Sequence, residues 1–135
     1  MNWSVRSFRL ATAGARPETQ IHTHLCYSEF GQIFEAIDGL DADVTSIEAE
    51  RSKMEIVEDI QRAGFDRGIG PGVYDIHSPR VPSREDIAQL ISVATSHISR
   101  ELLWINPDCG LKTRRYEEVV PALTAMVEAT RAARG

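Results

Sequence analysis

A strand-then-helix unit repeats four times along this chain, and few architectures accept that order. Gln20 to Ser28 reads as the first strand and Glu29 to about Leu40 as its helix. Ala42 to Glu48 is the second strand, with β-branched Val44, Thr45 and Ile47 suited to a pleated surface. Its helix starts at a Ser52 cap, carries Met54, Ile56, Val57 and Ile60 as an apolar stripe, and ends at Gly64. In the third unit the glycines of Gly68-Ile69-Gly70-Pro71-Gly72 argue against an ordinary strand start, so the extended segment is expected over Val73 to Ile76. Ser83, followed by Arg84-Glu85-Asp86, then opens a helix to about Ser99, with carboxylates in the first turn where the helix dipole favours them. Leu102 to Asn106 is the fourth strand. The last helix runs from about Tyr116 to Ala133, with Pro121 in or near its first turns, where proline costs least. A helix from Trp3 to about Ala13, with Val5 and Phe8 on one side, precedes the four units and is broken by Arg16-Pro17-Glu18-Thr19.

Four such units imply an α/β fold with a parallel sheet and right-handed crossovers. Two outcomes fit. One is a doubly wound open sheet. The other is half of a (β/α)8 TIM barrel, since a full barrel needs eight units and about 250 residues. In both, sites are built at the C-terminal ends of the strands. Here those ends carry Cys26, Glu48, Asp75 with His77, and Cys109.

Composition narrows the function. The 135 residues carry a formal net charge of −5, which provides no basic field for nucleic acid. The arginines near the C-terminus lie among acidic partners and read as a solvated face. No apolar run is long enough to span a bilayer, so a membrane is excluded as a partner. The start of the chain, Met1-Asn2-Trp3-Ser4-Val5-Arg6, lacks the apolar core of a signal peptide, and the chain has 2 cysteines. A reducing, cytoplasmic setting is therefore expected, where a metal or catalytic role competes well with a disulfide.

The chemistry concentrates in His22-Thr23-His24-Leu25-Cys26, where strand alternation projects three possible metal donors from one face. Imidazole with soft thiolate is a zinc ligand set. Glu48 ends the neighbouring strand. Cys109 ends the fourth strand, too far from Cys26 in an open sheet but convergent with it if the sheet curls. The shared ligands would then be one imidazole, two thiolates and one carboxylate. On spacing alone, the commoner outcome is a buried free cysteine beside a hydrogen-bonded core histidine. His22, deeper on the same face, reads as core or as a support to the ligands. His77, in the loop after the third strand, is a candidate proton donor or a loop-ordering surface histidine. Gly70-Pro71-Gly72 lacks the lysine and spacing of a phosphate loop. Asp108 and Lys112 flank Cys109 and form either an ordinary ion pair or a device that tunes the thiolate.

Several long stretches resemble the C-terminal region of cobalamin-independent methionine synthases. They are Gln20-Ile21-His22-Thr23-His24-Leu25-Cys26-Tyr27-Ser28-Glu29-Phe30, Asp41-Ala42-Asp43-Val44, Ile47-Glu48, Gly68-Ile69-Gly70-Pro71-Gly72-Val73-Tyr74-Asp75-Ile76-His77-Ser78-Pro79, and Trp104-Ile105-Asn106-Pro107-Asp108-Cys109-Gly110-Leu111-Lys112-Thr113-Arg114. The resemblance spans essentially the whole chain. It implies a partial (β/α)8 barrel, about the last four βα units preceded by a helix, with residues 1–135 a single half-barrel segment. It further implies Zn2+ held by His24, Cys26, Glu48 and Cys109, and a proton donor at His77. The implied substrates are homocysteine and 5-methyltetrahydropteroyl-polyglutamate. A half barrel leaves strand edges and an apolar face uncovered, so the missing half of the barrel, or self-association, is the expected partner. The remaining readings are a truncated zinc-binding remnant without catalysis and a small thiol–zinc module.

Overall fold

The computed structural model describes residues 2–26 and 30–135. The expected end of the first strand at Ser28 and the expected helix start at Glu29 fall outside them. Helix α1 (Asn2–Thr12) precedes a regular alternation: β1 (His22–Leu25), α2 (Phe30–Gly39), β2 (Val44–Ile47), α3 (Ile56–Ala63), β3 (Gly68–Pro71), α4 (Arg84–His97) and α5 (Tyr116–Arg134). The strands are parallel and lie in the order β1-β2-β3. His24 stands beside Ser46, and Ser46 beside Gly70.

The fourth strand is present only as isolated bridges. Ile69 bridges to Leu103 and Gly72 to Asn106, both parallel. Ile69 donates to the Leu102 carbonyl (2.8 Å), Trp104 donates to Ile69 (2.8 Å), and Val73 donates to Asn106 (2.9 Å). Between those two donors, Ile69 of β3 and Val73 just beyond it, stands Pro71, which has no N–H to give. That gap interrupts the ladder.

The third strand lies earlier than its composition suggests, on Gly68–Pro71 rather than Val73–Ile76. The glycines are there because the neighbouring segment crosses their face. A Cβ on Gly70 would lie 2.0 Å from Asn106 Oδ1, and one on Gly72 would lie 1.9 Å from Asp108 Oδ1. Helix α3 also starts later than a Ser52 cap would place it. Lys53 (φ 51°) and Met54 (φ 70°) are left-handed, which blocks helix propagation through that turn. Gly64 ends α3 in the left-handed conformation (φ 68°), as expected. Ser83 caps α4 as expected, in a reciprocal capping box with Asp86.

The strand order follows the chain order, so every right-handed crossover places its helix on the same side of the sheet. That makes a barrel sector and not a doubly wound sheet. The core fills the space between sheet and helices. Ile47 and Ile69 of the sheet meet Val57 and Ile60 of α3, Ile87, Leu90 and Ile91 of α4, and Ala129 of α5. The other, concave face carries His22 and His24, which are exposed, with Ser46 and Asn106. It is therefore largely polar, and its large apolar contribution is Trp104, 41% exposed. The expected uncovered apolar surface sits elsewhere, on Trp3 and Leu10 of α1 and on Tyr116, Val120 and Val127 of α5.

Candidate metal centre

Alternation along β1 directs His22, His24 and Cys26 to the concave face, while Leu25 packs on the core behind it. Cys26 follows the last residue of β1. Its Sγ lies 3.1 Å from His24 Nε2 and 3.4 Å from Cys109 Sγ. In a flat sheet the first and fourth strands stand three spacings apart, roughly 14 Å. Curvature of the sheet, with Cys109 on the bend after the last bridge at Asn106, brings the two thiols together. The sulfurs are too far apart for a disulfide, which needs about 2.05 Å, and neither cysteine forms one.

The donor atoms of His24, Cys26 and Cys109 all lie within 4.8 Å of one another. A tetrahedral zinc with bonds of about 2.1 Å to nitrogen and 2.3 Å to sulfur spaces its ligands roughly 3.5–3.8 Å apart. One imidazole and two sulfurs at these separations fit that ion after a small outward relaxation. Glu48 does not belong to the tight trio. It directly follows β2, two residues after Ser46, and its charge acts on the Cys26 thiol. A carboxylate so placed can complete the set.

Hydrogen bonding prepares the histidine. Ser46 Oγ donates to the Thr23 carbonyl (3.2 Å) and lies 2.8 Å from His24 Nδ1. When its one proton goes to Thr23, the hydroxyl accepts from the ring and Nδ1 carries the hydrogen. Nε2, the nitrogen facing Cys26, then presents its lone pair, as a metal ligand must. The Cys26 thiol is pushed up to about 11 by burial, by its hydrogen bond with Cys109, and by the negative charges of Cys109 and Glu48, against the opposing charge of Lys112. A bound cation would reverse that balance.

Asp108 does not pair with Lys112. Its carboxylate is buried, with Oδ1 accepting the N–H groups of Ala49 and Glu50, each at 3.0 Å. Burial pushes this carboxyl above its ordinary range, and the two N–H bonds oppose the shift. Lys112 acts instead on the charge of Cys26. His22 is not core. It is exposed, its ring edge-on to Trp104 at 4.8 Å and its Nε2 2.9 Å from Gln20 Oε1.

His77 lies in the turn after β3, exposed, with Nδ1 3.0 Å from Asp75 Oδ1. The same carboxylate oxygen accepts the His77 backbone N–H at 2.8 Å. Ring and backbone are thus held by one acceptor, and Nε2 points away from it. Arg114 fastens the loop from below, donating to the Ser78 carbonyl and to Glu118, both at 3.2 Å. Ser46 and Asp108 were not evident as partners from the sequence. Counting back two residues from Glu48 would have found Ser46. Nothing local marks Asp108 as reaching residues 49 and 50.

Residues 1–132 match the family model described as "Cobalamin-independent synthase, Catalytic domain". The chain is 59% identical over 134 residues to a 5-methyltetrahydropteroyltriglutamate–homocysteine methyltransferase of Rhodococcus jostii (strain RHA1), covering 99% of this chain and 18% of that protein. The like-named protein of Mycobacterium tuberculosis (strain ATCC 25618 / H37Rv) is 58% identical with the same coverage. That of Synechococcus sp. (strain JA-2-3B'a(2-13)) is 58% identical over 129 residues, 96% of this chain and 17% of that protein. The chain thus spans less than a fifth of the length of these relatives. A solved B12-independent methionine synthase from Shewanella sp. W3-18-1, in complex with selenomethionine, superposes with a TM-score of 0.82 over 98% of this chain and 43% of that one. At 15% identity that likeness speaks for the fold.

Proposed function

Because the chain belongs to the cobalamin-independent methionine synthase family, we propose that it supplies the zinc-binding sector of a (β/α)8 barrel that methylates homocysteine. The methyl donor is 5-methyltetrahydropteroyl-polyglutamate. The products are methionine and tetrahydropteroyl-polyglutamate. The observation that carries this reading is the meeting of His24 Nε2, Cys26 Sγ and Cys109 Sγ from opposite ends of the strand order.

His24, Cys26, Glu48 and Cys109 would hold the ion, His24 through Nε2, the nitrogen 3.1 Å from Cys26 Sγ. Zinc bound there keeps the thiol of homocysteine deprotonated, and so nucleophilic, at neutral pH. Two protein thiolates keep that sulfur electron-rich. Glu48, the hardest donor of the four, would be the ligand least firmly held by a soft-ligated ion and the one to give way to a further sulfur. In the transfer, the carbon–nitrogen bond of the donor breaks and a carbon–sulfur bond forms. The electron pair stays on the folate nitrogen, which is a poor leaving group until it is protonated. His77 gives it that proton, held in place by Asp75. The thiol proton of homocysteine has by then left to solvent.

No helix of the described residues is long and apolar enough to cross a membrane. Cys26 and Cys109, which form no disulfide, suit a reducing cytoplasm. The remainder of the barrel is the partner that the outer edge of β1 calls for, and it would contribute the substrate contacts.

The test is methionine formation from homocysteine and 5-methyltetrahydropteroyl-triglutamate, alongside zinc analysis. The chain alone should bind about one zinc without turnover, because much of the rate, on the order of 7–11 kcal/mol, comes from holding both substrates together. Joined to the upstream half of the barrel it should turn over. Stoichiometric zinc in a Cys26→Ala/Cys109→Ser variant would overturn the metal assignment. Robust turnover by the chain alone would overturn the half-barrel reading.

A further inference from the structure

We propose that Asp108 is the positioning residue that sets Glu48 against the His24–Cys26–Cys109 trio. Asp108 directly precedes Cys109 and is 1% exposed. Its side chain leaves the Cys109 segment, passes over Gly72 at the end of β3, and ends on the backbone that follows β2. There Oδ1 accepts the N–H groups of Ala49 and Glu50, the two residues next after Glu48. One oxygen atom therefore ties the segment of one proposed ligand to the segment of another, across an intervening strand.

Three features show that the span is built and not incidental. The path exists only because residue 72 is glycine: a Cβ there would lie 1.9 Å from Asp108 Oδ1 and 2.6 Å from Asp108 Cα. Asp108 is itself anchored to that strand's continuation, its N–H donating to the Tyr74 carbonyl at 2.9 Å. The receiving turn is rigid. Ala49 is 1% exposed, and its carbonyl accepts both the Met54 N–H (2.9 Å) and the Ser52 hydroxyl (3.2 Å). A turn gripped from both sides has little freedom to move Glu48.

The proposal rests on Glu48 being a metal ligand, and a thermodynamic cycle separates the two ideas. Zinc affinity of the full chain is measured by chelator competition for wild type, Glu48→Ala, Asp108→Ala, Asp108→Asn and the Glu48→Ala/Asp108→Ala pair. Asp108→Ala should weaken zinc about 10–100-fold, the range for a lost orienting partner. Asp108→Asn should bind as wild type does, since its carbonyl oxygen still accepts both N–H groups. The double variant should be no weaker than the weaker single one, because without Asp108 there is no placed Glu48 left to lose. Cobalt-loaded Asp108→Ala should keep the thiolate-to-metal absorption of Cys26 and Cys109. If Asp108→Ala does not fold, Asp108→Ser enters the same cycle, since its hydroxyl is too short to reach both N–H groups. Penalties that multiply in the double variant, or an Asn variant as weak as Ala, would overturn the role of Asp108. Wild-type affinity in Glu48→Ala would instead remove Glu48 from the ligand set.

Discussion

Ser46 Oγ stands 2.8 Å from His24 Nδ1, one strand across from it, with its own proton committed to the Thr23 carbonyl. It holds the ring by the nitrogen opposite Nε2, which lies 3.1 Å from Cys26 Sγ. Ser46→Ala should therefore lower zinc affinity by about 10–100-fold, as loss of a ligand's orienting partner does elsewhere. Ser46→Thr keeps the hydroxyl and should retain most of the affinity. Chelator competition on the two variants reads the difference. Equal affinities for Ala and wild type would show that His24 needs no such partner.

The glycines of β3 carry a packing prediction. A Cβ on Gly70 would sit 2.0 Å from Asn106 Oδ1, inside any tolerable contact. Gly70→Ala should destabilise the fold by about 1–3 kcal/mol, as overpacking does. Asn106→Ala removes the obstructing atoms, so the Gly70→Ala/Asn106→Ala pair should be more stable than the sum of the single effects allows. Denaturant unfolding of the four proteins checks this. Strict additivity would place the strain somewhere other than between these two residues.

Helix α4 provides a pH-dependent one. Ser83 Oγ accepts the Asp86 N–H at 3.1 Å, and Asp86 Oδ2 accepts from the Ser83 hydroxyl (2.7 Å) and N–H (3.0 Å). These bonds, with the Arg80 guanidinium, hold the Asp86 carboxyl below its ordinary range. A depressed carboxyl adds stability that is present above its unfolded-state pKa and is lost as pH falls through the lower folded value. Ser83→Ala should cost about 1 kcal/mol at neutral pH. The stability gap between wild type and Asp86→Asn should close as the solution is taken below the ordinary carboxylate range. Thermal unfolding from pH 7 downward shows whether it does.

His77 and Asp75 should separate chemistry from metal binding. In a complete barrel, His77→Ala should lose roughly 10²–10⁴ of turnover, the range for a general acid. Asp75→Asn should lose less, because its oxygen can still accept from the ring and backbone of His77. Both should keep full zinc, since neither side chain belongs to the trio. A His77→Ala protein that lost its zinc would place His77 in the metal site instead.

The sequence by itself determined which residues share a face and where most elements begin and end. Period two along His22–Leu25 puts His24 and Cys26 together, Ser83 announces α4, and Gly64 closes α3, because each depends on a residue's own backbone preference or its immediate neighbours. Only the tertiary structure decided the rest. The 3.4 Å between Cys26 and Cys109 comes from the curvature of the whole sheet, which the sequence names only as one of two outcomes. The third strand falls on glycines because Asn106 and Asp108, more than thirty residues later, fill the space where side chains would stand. The start of α3 is delayed by a left-handed turn at Lys53 and Met54, with Met54 buried under the core. Ser46 and Asp108 acquire their roles only once neighbouring strands are in register. Local preference is written in adjacent residues. Curvature, clearance and cross-strand bonds are set by residues far apart in the chain, and they exist only once the sheet has formed.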